Sequence, residues 1–215
     1  MSLLKMASKG FEPRMRIVNA IDTLVKEKSF EGITIGEICQ EAGFARQTFY
    51  RYFADKNDAV FWYANLSVRE IVAQTGKSIT WHEEFLLSSQ NVVSSAGFYS
   101  AVFRPSRDFN SLPNELIRLT EHEYRKTLNE YIRIEITPAL DFQLRLWCRT
   151  VMESGIDWLA DGLRHSAEEY AAYLDKCVPR DLYEIMNSSV LNRRADIEGA
   201  DNQPERKPAK SSILL

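Results

Sequence analysis

The sequence predicts an all-α fold, in which a small three-helix domain at the N-terminus precedes a larger helical bundle. Three observations carry this prediction. Apolar residues recur at three- and four-residue steps, no segment shows the strict apolar–polar alternation of a strand, and helix-capping residues precede several apolar runs. We expect domains at residues 10–55 and 56–191, and a disordered tail at 192–215 because that stretch is polar and contains proline.

The first predicted helix covers about residues 14–28. Ile17, Ile21 and Leu24 fall on one apolar stripe along it. A short second helix begins after Thr34, because Glu37 follows three residues later at the spacing of a capping box.

A third short helix follows a turn in the N-terminal domain. Gly43 supplies the permissive backbone that a tight turn between helices requires. The third helix covers about residues 46–52, and Asp55 is placed to cap a fourth. Two short helices around a glycine turn form a helix-turn-helix.

The remaining chain is predicted to be helical, with a polar loop at residues 105–111. Pro113 suits the first turn of a helix, and Ser166 with Glu169 forms a second capping box. The predicted helices are 56–76, 83–95, 98–103, 113–135, 141–163, 166–179 and 180–189.

Composition restricts the kind of protein this is. No apolar run approaches the roughly 20 residues of a membrane helix, and no signal-peptide pattern is present. Three scattered cysteines suit a reducing compartment, so we expect a cytoplasmic protein without a disulfide framework. Metal-ligand spacing and a glycine-rich phosphate loop are absent, which predicts no metal and no cofactor.

The net charge of −3 is unevenly distributed along the chain. Residues 1–56 carry nine basic and seven acidic side chains, whereas residues 57–192 carry thirteen basic and nineteen acidic ones. A basic head on an acidic body favours contact of the head with phosphates, because electrostatic attraction fades over about 10 Å. A solvated surface accounts equally well for so small a difference.

The third helix concentrates hydrogen-bond donors at its start. The first residues of a helix lying in the major groove reach base edges, where arginine pairs with guanine and glutamine with adenine. Backbone N–H groups at neighbouring helix starts favour phosphate. The predicted DNA contacts are Thr34, Arg46, Gln47, Thr48, Tyr50, Tyr52 and Lys56.

Each of these assignments has an alternative. Phe49 and Phe53 are predicted to be core residues that anchor the third helix. The polar residues around them could form a merely solvated surface, and Tyr52 could be a half-buried packing residue.

The segment A-G-F-A-R-Q-T-F-Y-R-Y-F-A-D-K resembles the signature of the TetR/AcrR family of bacterial regulators, usually A-G-V-S-x-x-T-F/L-Y-x-H/Y-F-x-S/D-K. The resemblance covers about residues 14–62. Within the family, the sequence is similar to the branch that includes a dihydroxyacetone-kinase operon regulator. It implies a homodimer, an operator with two-fold symmetry and a ligand pocket among the C-terminal helices. Ala45 replaces the frequent serine of the pattern, which removes one cap or phosphate contact.

Aromatic residues in the larger domain are candidates for a ligand pocket, since such pockets are mostly apolar with few polar groups. The alternative for each of them is a place in the core, and for the histidine a place on the surface. The predicted ligand-binding residues are Trp62, Phe85, Tyr99, Phe103, His122 and Trp147.

The helices at 141–163 and 166–189 are predicted to form the dimer interface. The first is nearly apolar on all sides over two turns, as expected for a helix covered on both faces. The alternative is a helix buried within one subunit. The predicted interface residues are Leu144, Trp147, Val151, Gly155, Trp158 and Leu159.

These patterns together predict a ligand-responsive transcription regulator that binds double-stranded DNA as a homodimer, most simply as a repressor. The effector is an unidentified small molecule. A second hypothesis is a co-activator or protein-interaction partner without specific DNA binding of its own. A third, an enzyme, lacks any catalytic motif, so we expect no enzymatic activity.

Overall fold

The computed structural model describes residues 10–103 and 111–201, and these residues form ten α-helices without a strand. The predicted all-α fold is therefore confirmed. In the described part of the chain, no helix combines the length and the apolar character needed to cross a membrane.

The N-terminal domain contains α1 (Phe11–Leu24), α2 (Ile35–Ala42) and α3 (Arg46–Tyr50). Their shared core contains Ile17 and Ile21 of α1, Ile38 of α2 and Phe49 of α3, each with at most 1% of its surface exposed. Burial of these side chains supplies most of the favourable free energy that holds three short helices together, because helices of this length are marginal in isolation.

The turn between α2 and α3 is held by Gly43 and by an arginine from α1. Gly43 has φ 68°, a conformation that residues with a Cβ adopt rarely, and it ends α2. Arg16 donates a hydrogen bond of 2.6 Å to the carbonyl of Ala42, and its guanidinium lies 4.3 Å from the ring centre of Phe44. These contacts fix the angle at which α3 leaves the domain.

The second domain contains seven α-helices that pack around an aromatic core. Helix α5 lies along α9, while α7 packs against α4 and α8. Trp81 joins α5 to the last helix, since its indole Nε1 donates to the carbonyl of Leu182 at 3.2 Å and its backbone N–H donates to Asn187 at 3.0 Å. The helices are α4 (Lys56–Glu70), α5 (Trp81–Ser94), α6 (Ala96–Val102), α7 (Ser111–Lys126), α8 (Pro138–Ala160), α9 (Ala167–Cys177) and α10 (Arg180–Asp201).

Helix ends differ most from the prediction in two interior places, while the other interior ends differ by up to four residues. Helix α4 ends at Glu70 rather than 76 and is followed by a 3-10 turn at Val72–Gln74. Helix α7 ends at Lys126, and a π-helical stretch at Thr127–Ile132 stops where Arg133 adopts φ 64°. Periodicity does not distinguish these tighter and wider turns from an α-helix, so the sequence prediction ran through both of them.

The last helix is longer than predicted. Helix α10 continues to Asp201, so residues 192–201 are helical where we expected disorder. Tertiary contacts explain the difference, because Arg193 lies 4.3 Å from the ring centre of Tyr131 and Arg194 donates to the carbonyl of Ser78 at 2.8 Å. The rest of the predicted tail, residues 202–215, and residues 105–110 of the predicted loop lie outside the described residues.

Candidate nucleic-acid interface and ligand cavity

Helix α3 presents its polar residues outward and its aromatic anchor inward. Arg46 and Gln47 are exposed, Thr48 is half-buried and Tyr50 is 56% exposed, whereas Phe49 is fully buried. Ala45 precedes the helix and makes no side-chain capping bond, as its replacement of serine implies. The start of α3 is therefore a short, solvent-facing set of donors fixed from behind by one phenylalanine.

Arg46 lies across the first turn of α2. Its Nη2 is 2.8 Å from the place that a Cβ on Gly36 would occupy. Real Cβ atoms essentially never make so short a contact, so a side chain at position 36 would displace the guanidinium. This role of Gly36 was not predicted, because the approach of the two helices is visible only in three dimensions.

The predicted capping box at the start of α2 is confirmed. The hydroxyl of Thr34 accepts a 3.3 Å bond from the backbone N–H of Glu37, and the Glu37 carboxylate accepts a 2.9 Å bond from the backbone N–H of Thr34. Lys28 also binds this carboxylate. The hydrogen bond from Lys28 and those from Thr34 lower the pKa of Glu37 to about 2. Thr34 is exposed at this helix start, as its predicted phosphate contact requires.

The ammonium of Lys56 lies elsewhere than predicted. Its Nζ donates to the carbonyls of Phe30, Glu31 and Ile33 at 2.7, 2.9 and 2.9 Å. An ammonium has three protons to donate, so these three carbonyls use all of them. Burial lowers the pKa of Lys56. This side chain holds the loop between α1 and α2 to α4, so its ammonium protons face carbonyl groups of the same subunit.

The side chain of Tyr52 packs in large part against neighbouring residues. It is half-buried, and a Cβ on Gly10 would come within 3.1 Å of its ring. The guanidinium groups of Arg14 and Arg51 lie 5.4 and 5.0 Å from its ring centre. The alternative weighed from the sequence, half-buried packing, describes its position.

A cavity of about 180 Å³ lies in the second domain between the helices α4 to α9. Four predicted ligand-binding residues line it, namely Phe85, Tyr99, Phe103 and Trp147. They come from α5, from α6 and the residue after it, and from α8, because the apolar faces of these helices are buried in the same core.

The other two predicted ligand-binding residues lie elsewhere. Trp62 packs between the domains, with its ring centre 5.4 Å from that of Phe11 and 5.8 Å from that of Phe53. His122 is exposed on the outer side of α7. Both residues were predicted to bind the ligand from their residue type alone. Each lies on a face of its helix that points away from the cavity.

Two polar groups lie in the wall of the cavity, the carboxyl group of Glu84, which was missed from the sequence, and the indole N–H of Trp147, a predicted ligand-binding residue. Glu84 is 4% exposed and accepts hydrogen bonds from Thr75 at 2.7 Å and from Tyr124 at 2.8 Å. Burial raises the pKa of Glu84 to about 7, although both hydroxyls oppose the shift. The indole Nε1 of Trp147 is buried and has no hydrogen-bond partner among the described residues. No sequence motif marks either group.

The predicted dimer residues face the interior of their own subunit. Leu144, Trp147, Trp158 and Leu159 are buried, and Val151 and Gly155 line the cavity. The alternative, a helix covered within one subunit, describes the four buried residues, whereas Val151 and Gly155 are half-buried and stay predicted interface residues. Apolar residues occur on both faces of α8, and the prediction selected the inward set.

Apolar residues on the opposite face of α8 remain exposed. Phe142 is 61% exposed and Leu146, one turn later, is 54% exposed. Large apolar side chains at this spacing form a continuous patch on a helix surface.

Comparison with known proteins matches both the sequence and the fold. Residues 17–61 match the family model described as bacterial regulatory proteins, tetR family. Over 93 residues the chain is 26% identical to the HTH-type dhaKLM operon transcriptional activator DhaS of Lactococcus lactis subsp. lactis (strain IL1403). This match covers 43% of the chain and only 50% of the length of that relative.

Two solved structures share the arrangement of helices. The dihydroxyacetone kinase operon activator DhaS superposes with a TM-score of 0.59 at 18% identity, covering 77% of this chain and 93% of that one. The fatty acid degradation regulator FadR from Bacillus halodurans superposes with a TM-score of 0.54 at 14% identity, covering 84% and 97%. At these identities the likeness establishes a common fold.

Proposed function

We propose that the chain, whose residues 17–61 match the family model described as bacterial regulatory proteins, tetR family, is a homodimeric transcription regulator whose DNA affinity responds to a small molecule. The observation that carries this proposal is the outward presentation of Arg46 and Gln47 at the start of α3, with Phe49 anchored behind them. We assign DNA binding to residues 10–55 and sensing and dimerisation to the domain that begins at residue 56. The family is one of regulators, so we propose no enzymatic role.

The proposed base contacts come from the first turn of α3. Arg46 has the donor geometry to pair with guanine, and Gln47 to bond adenine in the major groove. Thr48 and Tyr50 are placed to contact a thymine methyl group or phosphates, while the start of α2 at Thr34 offers backbone N–H groups to a phosphate. Two copies of α3 about 34 Å apart would enter successive major grooves of a two-fold symmetric operator.

The proposed dimer surface is the patch formed by Phe142 and Leu146. A two-fold axis places the same patch of both subunits in contact, so one apolar patch per chain is sufficient. Arg145 and Arg149 are exposed beside it and would lie at the polar rim of the interface.

The proposed signal passes through α4. At its first turn Lys56 is bonded to the loop of the N-terminal domain, and Trp62 packs between Phe11 and Phe53. At its second half, Ala64 and Val68 line the cavity. A ligand that displaces this half would tilt the DNA-binding domain, and each 1.4 kcal/mol of preference for one state changes the ratio of states about tenfold.

We propose repression as the direction of regulation, in which an occupied cavity spreads the two copies of α3 and releases the operator. The second candidate is activation, including co-activation without specific DNA binding by this chain alone. The name of the Lactococcus lactis relative, an operon transcriptional activator, favours that candidate.

Fluorescence anisotropy distinguishes specific binding from the partner role. The full chain is titrated onto a labelled duplex from its own upstream region and onto a scrambled duplex of equal composition, at low and high salt. The proposal predicts preference for the upstream duplex and affinity that falls as salt rises. Equal affinity for both duplexes would support the partner role. A promoter–reporter measurement with and without the chain then gives the sign of regulation.

A further inference from the structure

The cavity in the second domain has a one-sided electrostatic character. Among the described residues that line it, Glu84 is the only acidic or basic one, and it is acidic. The same lining includes the rings of Phe85, Tyr99, Trp147 and Trp158. The faces of aromatic rings attract cations, so both the carboxyl group and its surroundings disfavour an anionic ligand and favour a cationic one.

Glu84 is a carboxylic acid without a basic partner. Its hydrogen bonds come from the hydroxyls of Thr75 and Tyr124, and it forms no ion pair with any described residue. Burying a carboxylate that is not paired with a cation is costly. An amide side chain would accept the same two bonds without that cost. A ligand cation in the cavity would supply the missing partner and accounts for an acid at this position.

Trp147 adds a second, independent requirement. Its indole N–H is buried, lies in the wall of the cavity and has no acceptor among the described residues. Its ring packs against Phe85, the residue after Glu84, with ring centres 5.8 Å apart. A buried donor without an acceptor is energetically unfavourable. An oxygen on the ligand would satisfy it.

The volume of the cavity limits the size of its occupant. It measures about 180 Å³. An apolar cavity of roughly 150 Å³ is sufficient for benzene. The space therefore suits one ring with short substituents.

We propose that the effector is a small single-ring amine, with its protonated nitrogen beside the carboxyl group of Glu84 and an oxygen substituent that accepts the N–H of Trp147. The inference rests on the proposed function only in taking this cavity as the effector site. Chemically, it names a monocyclic cation that also carries a hydrogen-bond acceptor.

Three probes of nearly equal size test the proposed charge. Binding of meta-hydroxybenzylamine, meta-hydroxybenzyl alcohol and meta-hydroxybenzoate to the full chain is measured by isothermal titration calorimetry. We expect the amine to bind at least about tenfold more tightly than the alcohol, and the benzoate to bind most weakly. The inference is wrong if the alcohol or the benzoate binds as tightly as the amine, or if none of the three binds at millimolar concentration.

Two substitutions assign the preference to residues. Glu84→Gln keeps both hydroxyl bonds and is expected to remove the preference for the amine while changing the affinity for the alcohol by less than about threefold. Trp147→Phe is expected to weaken the amine and the alcohol alike. An unchanged preference in Glu84→Gln would overturn the inference. The wild-type ranking decides the question of charge even if a variant fails to fold.

The outcome is separable from that of the proposed function. A chain that prefers the amine but shows no specific DNA binding would keep this inference and lose the regulatory role. A chain that binds its operator but does not prefer the amine would keep the regulatory role and lose this inference.

Discussion

Basic side chains of the N-terminal domain have two different roles. Arg46 faces solvent at the start of α3, whereas Lys56 and Arg16 donate to backbone carbonyls and hold the domain together. Residue type alone does not separate these roles, because a lysine beside a DNA-binding motif suits both of them. The structure separates them by what lies within hydrogen-bond distance.

Lys56→Met is expected to destabilise the domain rather than to remove a phosphate contact. Three carbonyls, two of them half-buried, would lose their donor, for which we expect a loss of about 1–3 kcal/mol in urea unfolding. Lys26→Met is the matched control, because Lys26 is exposed and bonds only Asp22 one turn away, and it should change stability by less than about 0.5 kcal/mol. Equal stability of the two variants would contradict the structural role of Lys56.

Glu84 makes stability depend on pH in a defined direction. Its pKa is about 7 in the folded chain, against an ordinary value of 4.5, so the folded state holds the proton more tightly than the unfolded state does. This contribution is fully present below about pH 4.5 and is lost as pH rises through about 7, and it amounts to roughly 3 kcal/mol.

Glu84→Gln should therefore flatten the dependence of stability on pH between about pH 5 and 8, as measured by urea unfolding at several pH values. Glu83→Gln, one residue earlier and at the surface, should leave that slope in place. A Glu84→Gln profile that parallels the wild type would show that the buried acid does not titrate in this range.

At the scale of elements, capping residues and turns were the most predictable features. Thr34 with Glu37, Ser166 with Glu169, and Gly43 are local signals whose chemistry is fixed within four residues, and all three occur where predicted. The extension of α10 was not predictable, because Arg193 and Arg194 bind partners more than sixty residues away. The cavity followed the prediction only in part, since residue type indicates an aromatic lining but not the face on which Trp62 or His122 falls.

Gly43→Ala tests the turn that orients α3. A Cβ there would require φ 68° from an alanine and would lie 3.0 Å from Arg16, so we expect a loss of about 1–2 kcal/mol in thermal or urea unfolding. Gly97→Ala in α6 is the control, because a Cβ there meets no atom within 4 Å, and it should be neutral or stabilising by up to about 1 kcal/mol. Greater destabilisation by Gly97→Ala would contradict the role of the turn.

For the molecule as a whole, recognition of a two-fold symmetric operator requires two subunits. One α3 occupies one half-site of the operator, so the proposed recognition requires a dimer. The proposed dimer surface is formed by residues other than those that line the cavity. The buried residues of α8 serve the interior, which leaves Phe142 and Leu146 as the apolar residues of α8 that remain exposed for a second copy.

The double variant Phe142→Glu/Leu146→Glu should be monomeric in sedimentation velocity at concentrations where the wild type is dimeric. Paired carboxylates across a two-fold axis would repel each other and would replace the apolar contact. Val93→Glu, which changes an exposed apolar residue on α5, should leave the dimer intact. A wild-type monomer, or a dimeric double variant, would contradict the proposed interface.

Selection of binding sites from randomised duplexes measures whether the first turn of α3 recognises base edges, as we propose. The wild type should select a two-fold symmetric sequence, and Gln47→Ala should lose its preference at one position in each half-site at a cost of about 1–3 kcal/mol, with the other positions unchanged. A Gln47→Ala protein that selects the same sequence with the same preference at every position would contradict the account.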